Sequence, residues 1–368
     1  MSLLEALETP FTLKSLRLKN RFAMSPMTRY FSPDGLPTQD VAAYYRRRAE
    51  GGVGLIISEG VGLDRVHSRA VSFVPNFCDD ALSEWSKVVA DVHAAGAAMA
   101  PQLWHVGGVA DYNYPDAEHD PLESPSGLIG PDTPGGRVMS EEDVADTIAS
   151  FARAAGDSNR LGFDCVEVHA AHGYLVDQFF WSETNRRDGR YGGTDLRARS
   201  NLAAEIVRAM RAAVGEDYVL MMRVSQWKTG YYDTKLASTP AEIEQWLGPL
   251  VEAGVDLIDC SQRRFWEPEF EGSDLNLAGW VKKMLGVPTM TVGSIGLDRD
   301  LFADFAGGTS AVNMRSLEEL ARRFDRGDFD LVALGRVLLS DPSWLQKVRE
   351  GRLGELTPYS AEAMQTLY

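Results

Sequence analysis

Eight short apolar runs, each followed by a stretch with helical character, leave this chain few folds to choose from. The strand-like runs are Arg21 to Met27, Val53 to Gly60, Ala97 to Gln102, the run opening at Phe163, Tyr218 to Val224, Val255 to Cys260, Pro288 to Val292 and Asp330 to Leu334. Continuous apolar character, rather than alternation, marks strands buried on both faces, as parallel strands are. Helices are expected at Thr38 to Glu50, Asp80 to Ala95, Leu196 to Val214, Pro240 to Ala253, near Leu277 to Leu285, and Pro342 to Arg349. One more begins at Glu141-Glu142-Asp143 behind Ser140, a residue suited to an N-cap. Eight strands alternating with helices predict an α/β fold, a closed (β/α)8 TIM barrel, over an open sheet. Ahead of them, Phe11 to Lys19 alternates apolar and polar residues around a turn and predicts an N-terminal hairpin. Two βα connections, Gly107 to Met139 and Asp177 to Thr194, are long enough to be lid loops. There is no internal repeat beyond the alternation, no low-complexity segment and no linker. Residues 1–368 are therefore expected to form a single domain.

Composition narrows the partners. The chain is 44% hydrophobic, enough for a large core. It has no run of about 18 apolar residues, so no membrane span is expected. The start Met1-Ser2-Leu3-Leu4-Glu5 lacks the basic and apolar segments of a signal peptide. Cys78, Cys165 and Cys260 are too scattered for a disulfide framework or a cysteine-rich metal centre. A cytoplasmic location follows as the expectation. A formal net charge of −16 argues against nucleic-acid and anionic-membrane surfaces. The expected partner is a small molecule, with the chain a monomer or homo-oligomer.

In a barrel of this kind the site is built from the carboxyl ends of the strands. The fourth strand ends in His169-Ala170-Ala171-His172-Gly173-Tyr174. Residues three apart on an extended strand face opposite sides, so the histidines converge only if the chain leaves the strand near Ala171, a turn Gly173 eases. Two donors and a phenol there make a catalytic edge; the alternative is a structural histidine and a packed tyrosine. Val292-Gly293-Ser294 and Leu334-Gly335-Arg336 place small residues and a bidentate donor at strands seven and eight, a recurring phosphate site in barrels. The alternative is that these glycines serve only tight turns. Thr28, Gln102 and Arg223 offer hydrogen bonds and Trp104 a flat apolar face, which suits a planar heteroaromatic ring such as a flavin. A buried Arg223 needs an anionic partner: such a ring once reduced, or a carboxylate inside the barrel such as Glu167. His169-x-x-His172 lacks the i, i+4 spacing and intervening glutamate of helical zinc pairs, so no metal is expected. No Gly-x-Ser-x-Gly elbow is present. Arg46-Arg47-Arg48 reads as a solvated helix face. Arg263-Arg264-Phe265-Trp266, basic and aromatic together, is compatible with a cofactor or a subunit contact.

Taken in order, Ser25-Pro26-Met27-Thr28-Arg29, Gln102-Leu103-Trp104-His105, His169 to Tyr174, Asn185-Arg186-Arg187-Asp188 with Tyr191-Gly192-Gly193, Arg223-Val224-Ser225, Val292-Gly293 and Leu334-Gly335-Arg336 resemble the Old Yellow Enzyme family, the FMN-dependent ene-reductases, over essentially the whole length. The resemblance implies FMN as cofactor, reduced by NADH or NADPH. It implies Pro26, Met27, Thr28, Gly60 and Gln102 against the isoalloxazine and Arg223 at its N1/O2 edge. Gly293, Ser294, Gly335 and Arg336 would lie on the phosphate. His169 and His172 would donate to a carbonyl or nitro oxygen of the substrate, and Tyr174 would be the acid, since an ordinary phenol with a pKa of about 10 is protonated at neutral pH. The implied substrates are α,β-unsaturated carbonyls and nitroalkenes, electrophilic alkenes or nitro compounds. A nitrate-ester or nitroaromatic reductase on the same site is the alternative.

Thr28 stands where one branch of the family carries cysteine, and its hydroxyl would bond flavin O4. Gly108 stands where arginine is frequent, and extra residues occur around Gly307 to Ser316. Trp104 and Trp227 are expected in the pocket or the core; Tyr359 and Tyr368 are candidates for a C-terminal aromatic at the substrate. The chain ends soon after the barrel and lacks a cysteine cluster for iron–sulfur, which disfavours a dienoyl-CoA reductase. A flavin-free barrel lyase or aldolase would need a metal or a lysine at a strand end; Lys228 is the nearest.

Overall fold

The computed structural model describes residues 4–65, 68–69, 71–109, 122–299 and 309–368. Gly307 and much of the Gly107 to Met139 connection lie outside the described residues. Eight parallel strands close into a barrel: β1 (Phe22–Met24), β2 (Leu55–Gly62), β3 (Ala98–Trp104), β4 (Cys165–His172), β5 (Val219–Lys228), β6 (Leu257–Ser261), β7 (Thr289–Val292) and β8 (Leu331–Leu334). Each pairs with its sequence neighbour, and β8 returns to β1 through Val332–Phe22, Ala333–Ala23 and Leu334–Met24. The (β/α)8 expectation holds.

Helices α1 (Gln39–Glu50), α2 (Asp80–Ala94), α3 (Glu141–Leu161), α4 (Asn201–Val214), α5 (Pro240–Ala253), α6 (Leu277–Leu285), α7 (Met314–Asp325) and α8 (Trp344–Arg349) belong to the outer part of the fold. Their starts follow the capping signals. Thr38 Oγ1 accepts from Val41 N, and Ser140 with Asp143, like Thr239 with Glu242, forms a reciprocal capping box. Two cores result. One lies between helices and barrel; the other fills the barrel with Leu55, Ile57, Cys165, Val219, Met221, Leu257, Met290 and Leu331. The expected hairpin forms from Phe11–Leu13 and Leu16–Leu18. Its Phe11, Leu16 and Leu18 join the inner core, while Ser15 N donates to Asp217 O just before β5. The hairpin thereby plugs the amino-terminal end of the barrel and leaves the carboxyl end for chemistry.

Three expectations need correction. The helix expected from Leu196 to Val214 is broken into Leu196–Arg199 and Asn201–Val214, because the Ser200 hydroxyl lies 2.8 Å from the carbonyls of both Leu196 and Trp246 and ties the break to α5. The Asp177 to Thr194 lid begins inside a helix, Leu175–Phe180, all of it buried. Strand β5 runs on to Lys228, four residues past Val224. Helix α7, which the sequence pattern did not single out, occupies the β7–β8 connection.

The described part of the first lid carries a parallel pair, Glu123–Ser124 with Arg137–Val138, and an antiparallel one, Leu128–Gly130 with Thr133–Pro134. Glu123 is fully buried and anchors it, accepting from Arg65 at 2.7 Å and Arg137 at 2.8 Å and lying 3.1 Å from His105 Nε2. Burial alone would raise its carboxyl; His105 and Arg65 outweigh that and hold it down at about 2. Gly108 fits the same packing, since a side chain there would run into Ile129 of the lid hairpin.

Candidate active site

Strand β4 delivers the site because it does not stay regular. The β4–β5 register runs evenly from Cys165–Val219 to Ala170–Val224 and then slips, so that His172 pairs with Lys228. His172 has φ 64° and Gly173 φ 88°, both left-handed. The slip is the departure near Ala171 that the histidine spacing demands. It brings the rings of His169 and His172 to 5.2 Å, edge to face, with Tyr174 4.9 Å from His169. Trp104 meets the Tyr174 ring at 4.9 Å, and Trp227 stacks on His172 at 4.2 Å.

The slipped turn is held from behind. His172 N donates to Ser225 Oγ at 3.0 Å, and Gly173 N to Asp177 Oδ2 at 2.7 Å. Lys228 Nζ donates to Asp177 Oδ1 at 2.8 Å and to the carbonyls of Ser225 and Gln226. Both side chains are buried. Lys228, the nearest candidate for a Schiff-base lysine, is therefore spent in an internal ion pair.

His169, His172, Tyr174, Trp104 and Trp227 line one cavity of about 810 Å³ at the carboxyl end of the barrel. Its wall includes Pro26, Met27, Thr28, Gly60, Gln102, Trp104, His169, His172, Tyr174, Arg223, Trp227, Gly293, Ser294, Gly335 and Arg336. Every residue expected at the site is among them except Tyr359. Tyr359 is 2% exposed, pairs with Ser310 through its backbone, and places its ring 5.7 Å from the Arg336 guanidinium, outside the cavity wall. Tyr368 is 69% exposed under Arg47, so neither C-terminal aromatic lines the pocket.

The floor is polar. Arg223 Nη2 donates to Ser25 Oγ at 2.9 Å, and its Nε lies 3.2 Å from Asp259 Oδ2, at ion-pair distance without hydrogen-bond alignment. The carboxylate paired with Arg223 is thus Asp259 rather than Glu167, which instead accepts from Gln102 Nε2 at 2.8 Å. Both histidines are pushed well below the ordinary imidazole range, first by burial and then by neighbouring positive groups, Arg223 among them. They are neutral at pH 7, each with one ring N–H to give. His172 Nε2 lies 2.9 Å from Ser261 Oγ, while His169 Nδ1 is buried without a hydrogen-bond partner among the described residues.

Backbone strain concentrates here. Seven non-glycine residues described have positive φ, and Tyr30, His172 and Ser294 of these line the cavity. Such conformations cost about 1–3 kcal/mol each and persist where surroundings impose them. For Tyr30 the surrounding is Glu59: its carboxylate accepts from the backbone N–H of Arg29 at 2.8 Å and also from that of Tyr30, bending the Pro26 to Tyr30 segment over the barrel rim. Burial pushes Glu59 up to about 7.

A flavin mononucleotide fits this donor set. Gly335 faces space that a Cβ would enter without meeting protein closer than 3.8 Å, so its glycine is not demanded by the protein itself. Gly293, at φ 149°, must be glycine, because a Cβ would come within 2.5 Å of Gln262 O. Arg336 Nη2 donates to Ser294 Oγ at 2.9 Å beside that turn. Together they form a small basic cradle next to the polar floor.

Sequence reasoning missed Tyr30, Trp181, Tyr231 and Tyr232, all on the cavity wall; Ser261, read as the carboxyl end of the sixth strand, lies there as expected. Tyr231 packs on Trp181 at 5.2 Å, and its hydroxyl lies 3.5 Å from Thr133 of the lid hairpin. The aromatic run after β5 was the available signal. The Arg263 to Trp266 segment divides: Arg263 lines the cavity with its guanidinium 5.7 Å from the Tyr232 ring, Arg264 pairs with Glu267, and Phe265 is core.

Residues 6–355 match the NADH:flavin oxidoreductase / NADH oxidase family. The chain is 33% identical over 359 residues to an NADH oxidase of Thermoanaerobacter brockii, covering 93% of this chain and 50% of that protein. It spans about half the length of the first two curated relatives it matches. An NADPH dehydrogenase of Halalkalibacterium halodurans is 30% identical over 339 residues, 91% of each chain. Among solved structures, morphinone reductase in complex with tetrahydroNAD superposes with a TM-score of 0.77 at 27% identity, over 98% of this chain and 94% of that one. Old Yellow Enzyme from Pichia sp. shares the fold with a TM-score of 0.79 at 24% identity, over 98% and 90%. The chain belongs to the NADH:flavin oxidoreductase / NADH oxidase family, the FMN-binding Old Yellow Enzyme family.

Proposed function

We propose that the protein reduces C=C bonds activated by a carbonyl or nitro group. The observation that carries this reading is the convergence of His169, His172 and Tyr174 above the Arg223 floor in one cavity. FMN, when bound, supplies the hydride carrier between nicotinamide and substrate carbon. Pro26, Met27, Thr28, Gly60 and Gln102 would hold its ring, Arg223 would face the ring from the floor, and Gly293, Ser294, Gly335 and Arg336 would hold its phosphate.

His169 and His172 donate hydrogen bonds to the substrate oxygen on which negative charge develops. Because both are neutral and held by packing, they stabilise that charge without reorganising. Trp227 fixes the plane of His172 and Trp104 that of Tyr174. Tyr174 delivers the proton to the carbon α to the activating group, a step of general-acid type. Trp104 and Trp227 give the substrate apolar walls and keep water out.

Turnover of cyclohexenone against a nitrate ester, with NADPH and the FMN-loaded protein, tests the reading. The expected result is saturated ketone formed faster than nitrite. Nitrite release with no alkene reduction overturns it in favour of nitrate-ester chemistry.

A further inference from the structure

Beneath the cavity, strands β4, β5 and β6 turn Glu167, Arg223 and Asp259 into the barrel interior. All three are buried, the two carboxylates completely. Arg223 sits at register with His169 on one side and Asp259 on the other. One guanidinium therefore stands among two buried carboxylates, paired with Asp259 and acting on Glu167 through charge alone. Gln102 from β3 gives Glu167 Oε1 one donor at 2.8 Å, and Arg223 approaches Asp259 Oδ2 at 3.2 Å. Glu167 Oε2 and both Asp259 oxygens remain buried with no hydrogen-bond donor among the described residues.

The other elements offer no relief. Ser25 at the end of β1 accepts from Arg223, and His169 above is held neutral. Below lie Cys165, Met221 and Leu257, and Met290 of β7 flanks Asp259; burial keeps the Cys165 thiol protonated. Glu59 on β2 is engaged elsewhere, with the Arg29 backbone and Tyr45. Two ionised carboxylates against one cation would leave a net negative charge in a buried interior, which is strongly unfavourable unless a proton neutralises it.

We propose that Glu167 and Asp259 share one proton beneath the flavin, carried on Glu167 and donated to Asp259, and that this proton keeps the charge of Arg223 available to the reduced ring. The proposal rests on the FMN reading for its consequence, not for the shared proton itself. Burial, followed by the charge of Asp259, pushes Glu167 up to about 8, and Asp259 is raised by burial as well. With the proton in place, Arg223 and the pair sum to zero charge. Without it, a net negative charge would remain around Arg223, where reduction of a bound flavin would add another.

Electrochemical reduction of bound FMN to the anionic ring takes two electrons and one proton. At neutral pH the pair already holds its proton in both redox states. On the alkaline side the oxidised protein loses it, and reduction draws it back from solvent, so two protons accompany two electrons. The test is the midpoint potential of the FMN-loaded protein against pH, for the wild type and Glu167→Gln, whose amide mimics the protonated acid. The wild type should pass from one to two protons per two electrons as pH rises; the variant should stay at one.

Infrared spectra give a readout independent of flavin. The carbonyl stretch of a protonated buried carboxylic acid should be present in the wild type at neutral pH. Glu59, raised to about 7 by burial, contributes a component of its own that should persist, while a second component should be lost in both Glu167→Gln and Asp259→Asn. A band that neither variant diminishes, or one proton per two electrons throughout in the wild type, overturns the proposal. A protein that shows the second component but binds no FMN leaves the shared proton standing and refutes the functional reading instead.

Discussion

Replacing Lys228 by methionine should destabilise the protein by about 3–5 kcal/mol, the usual cost of breaking a buried ion pair from one side. The structure says why. The Lys228 side chain is 1% exposed and the Asp177 side chain 0%, so water cannot substitute for the lost ammonium. Asp177 would keep only the Gly173 N–H, and the carbonyls of Ser225 and Gln226 would lose a donor. Part of the cost is recoverable by protonation: burial already raises the Asp177 carboxyl, and removing its cation raises it further. Below that raised pKa the carboxyl is neutral, so the penalty should shrink as pH falls and be largest in the alkaline range. Urea unfolding with an unchanged m-value reads the stability. The double variant Asp177→Asn, Lys228→Met removes the stranded charge and should regain most of the loss. The same bond supports the left-handed His172–Gly173 turn, so phenol binding to the FMN-loaded single variant should weaken as well. A loss below about 1 kcal/mol, far under the range for a buried pair, with unchanged phenol binding would refute the role given to this pair.

Tyr174→Phe should slow alkene reduction by about 10²–10⁴-fold, the range of a general acid, while reduction of the flavin by nicotinamide survives; stopped-flow measurement of the two half-reactions separates them, and equal loss in both contradicts the assignment. Because His169 and His172 are held neutral by burial, phenol affinity should show no histidine titration between about pH 5 and 8, the window in which an ordinary imidazole switches. The same shift makes the unfolded chain bind more protons than the folded one below its ordinary histidine pKa of about 6.5, so these two residues should lower stability as pH falls through that value. Removing both side chains should flatten that part of the acid limb of a urea-midpoint profile, and an unchanged limb would contradict their burial as neutral groups.

Much of the fold was legible because burial on both faces writes itself into the strands as continuous apolar runs. The boundaries of α5 and α6 were readable to the residue because Thr239 and Asn276 cap them and Gly254 and Gly286 end them. The break at Ser200 was not, because it depends on a carbonyl of α5 that only the folded chain brings near. At the site, the His169–His172 spacing demanded a turn, and the structure supplies one as a register slip. Asp259 as the partner of Arg223 was hidden, since pairing across neighbouring strands depends on register, which apolar patterning does not reveal. The same holds for Tyr359: its place on Arg336 follows from a short strand pairing, Thr309–Ser310 with Tyr359–Ser360, between segments about fifty residues apart in the chain. The aromatic wall of Tyr231 and Tyr232 was visible as composition but had no position until Lys228 locked the loop.

FMN and a pair of neutral histidines above it would share one cavity. A visible-absorbance titration of the FMN-loaded protein with p-hydroxybenzaldehyde, in the wild type and in the His169→Ala, His172→Ala variant, tests it most directly. The wild-type flavin spectrum should gain a long-wavelength band with the phenol, and that band should be lost or greatly weakened in the variant. A wild-type spectrum that the phenol leaves unchanged, or a protein that takes up no FMN, would contradict it.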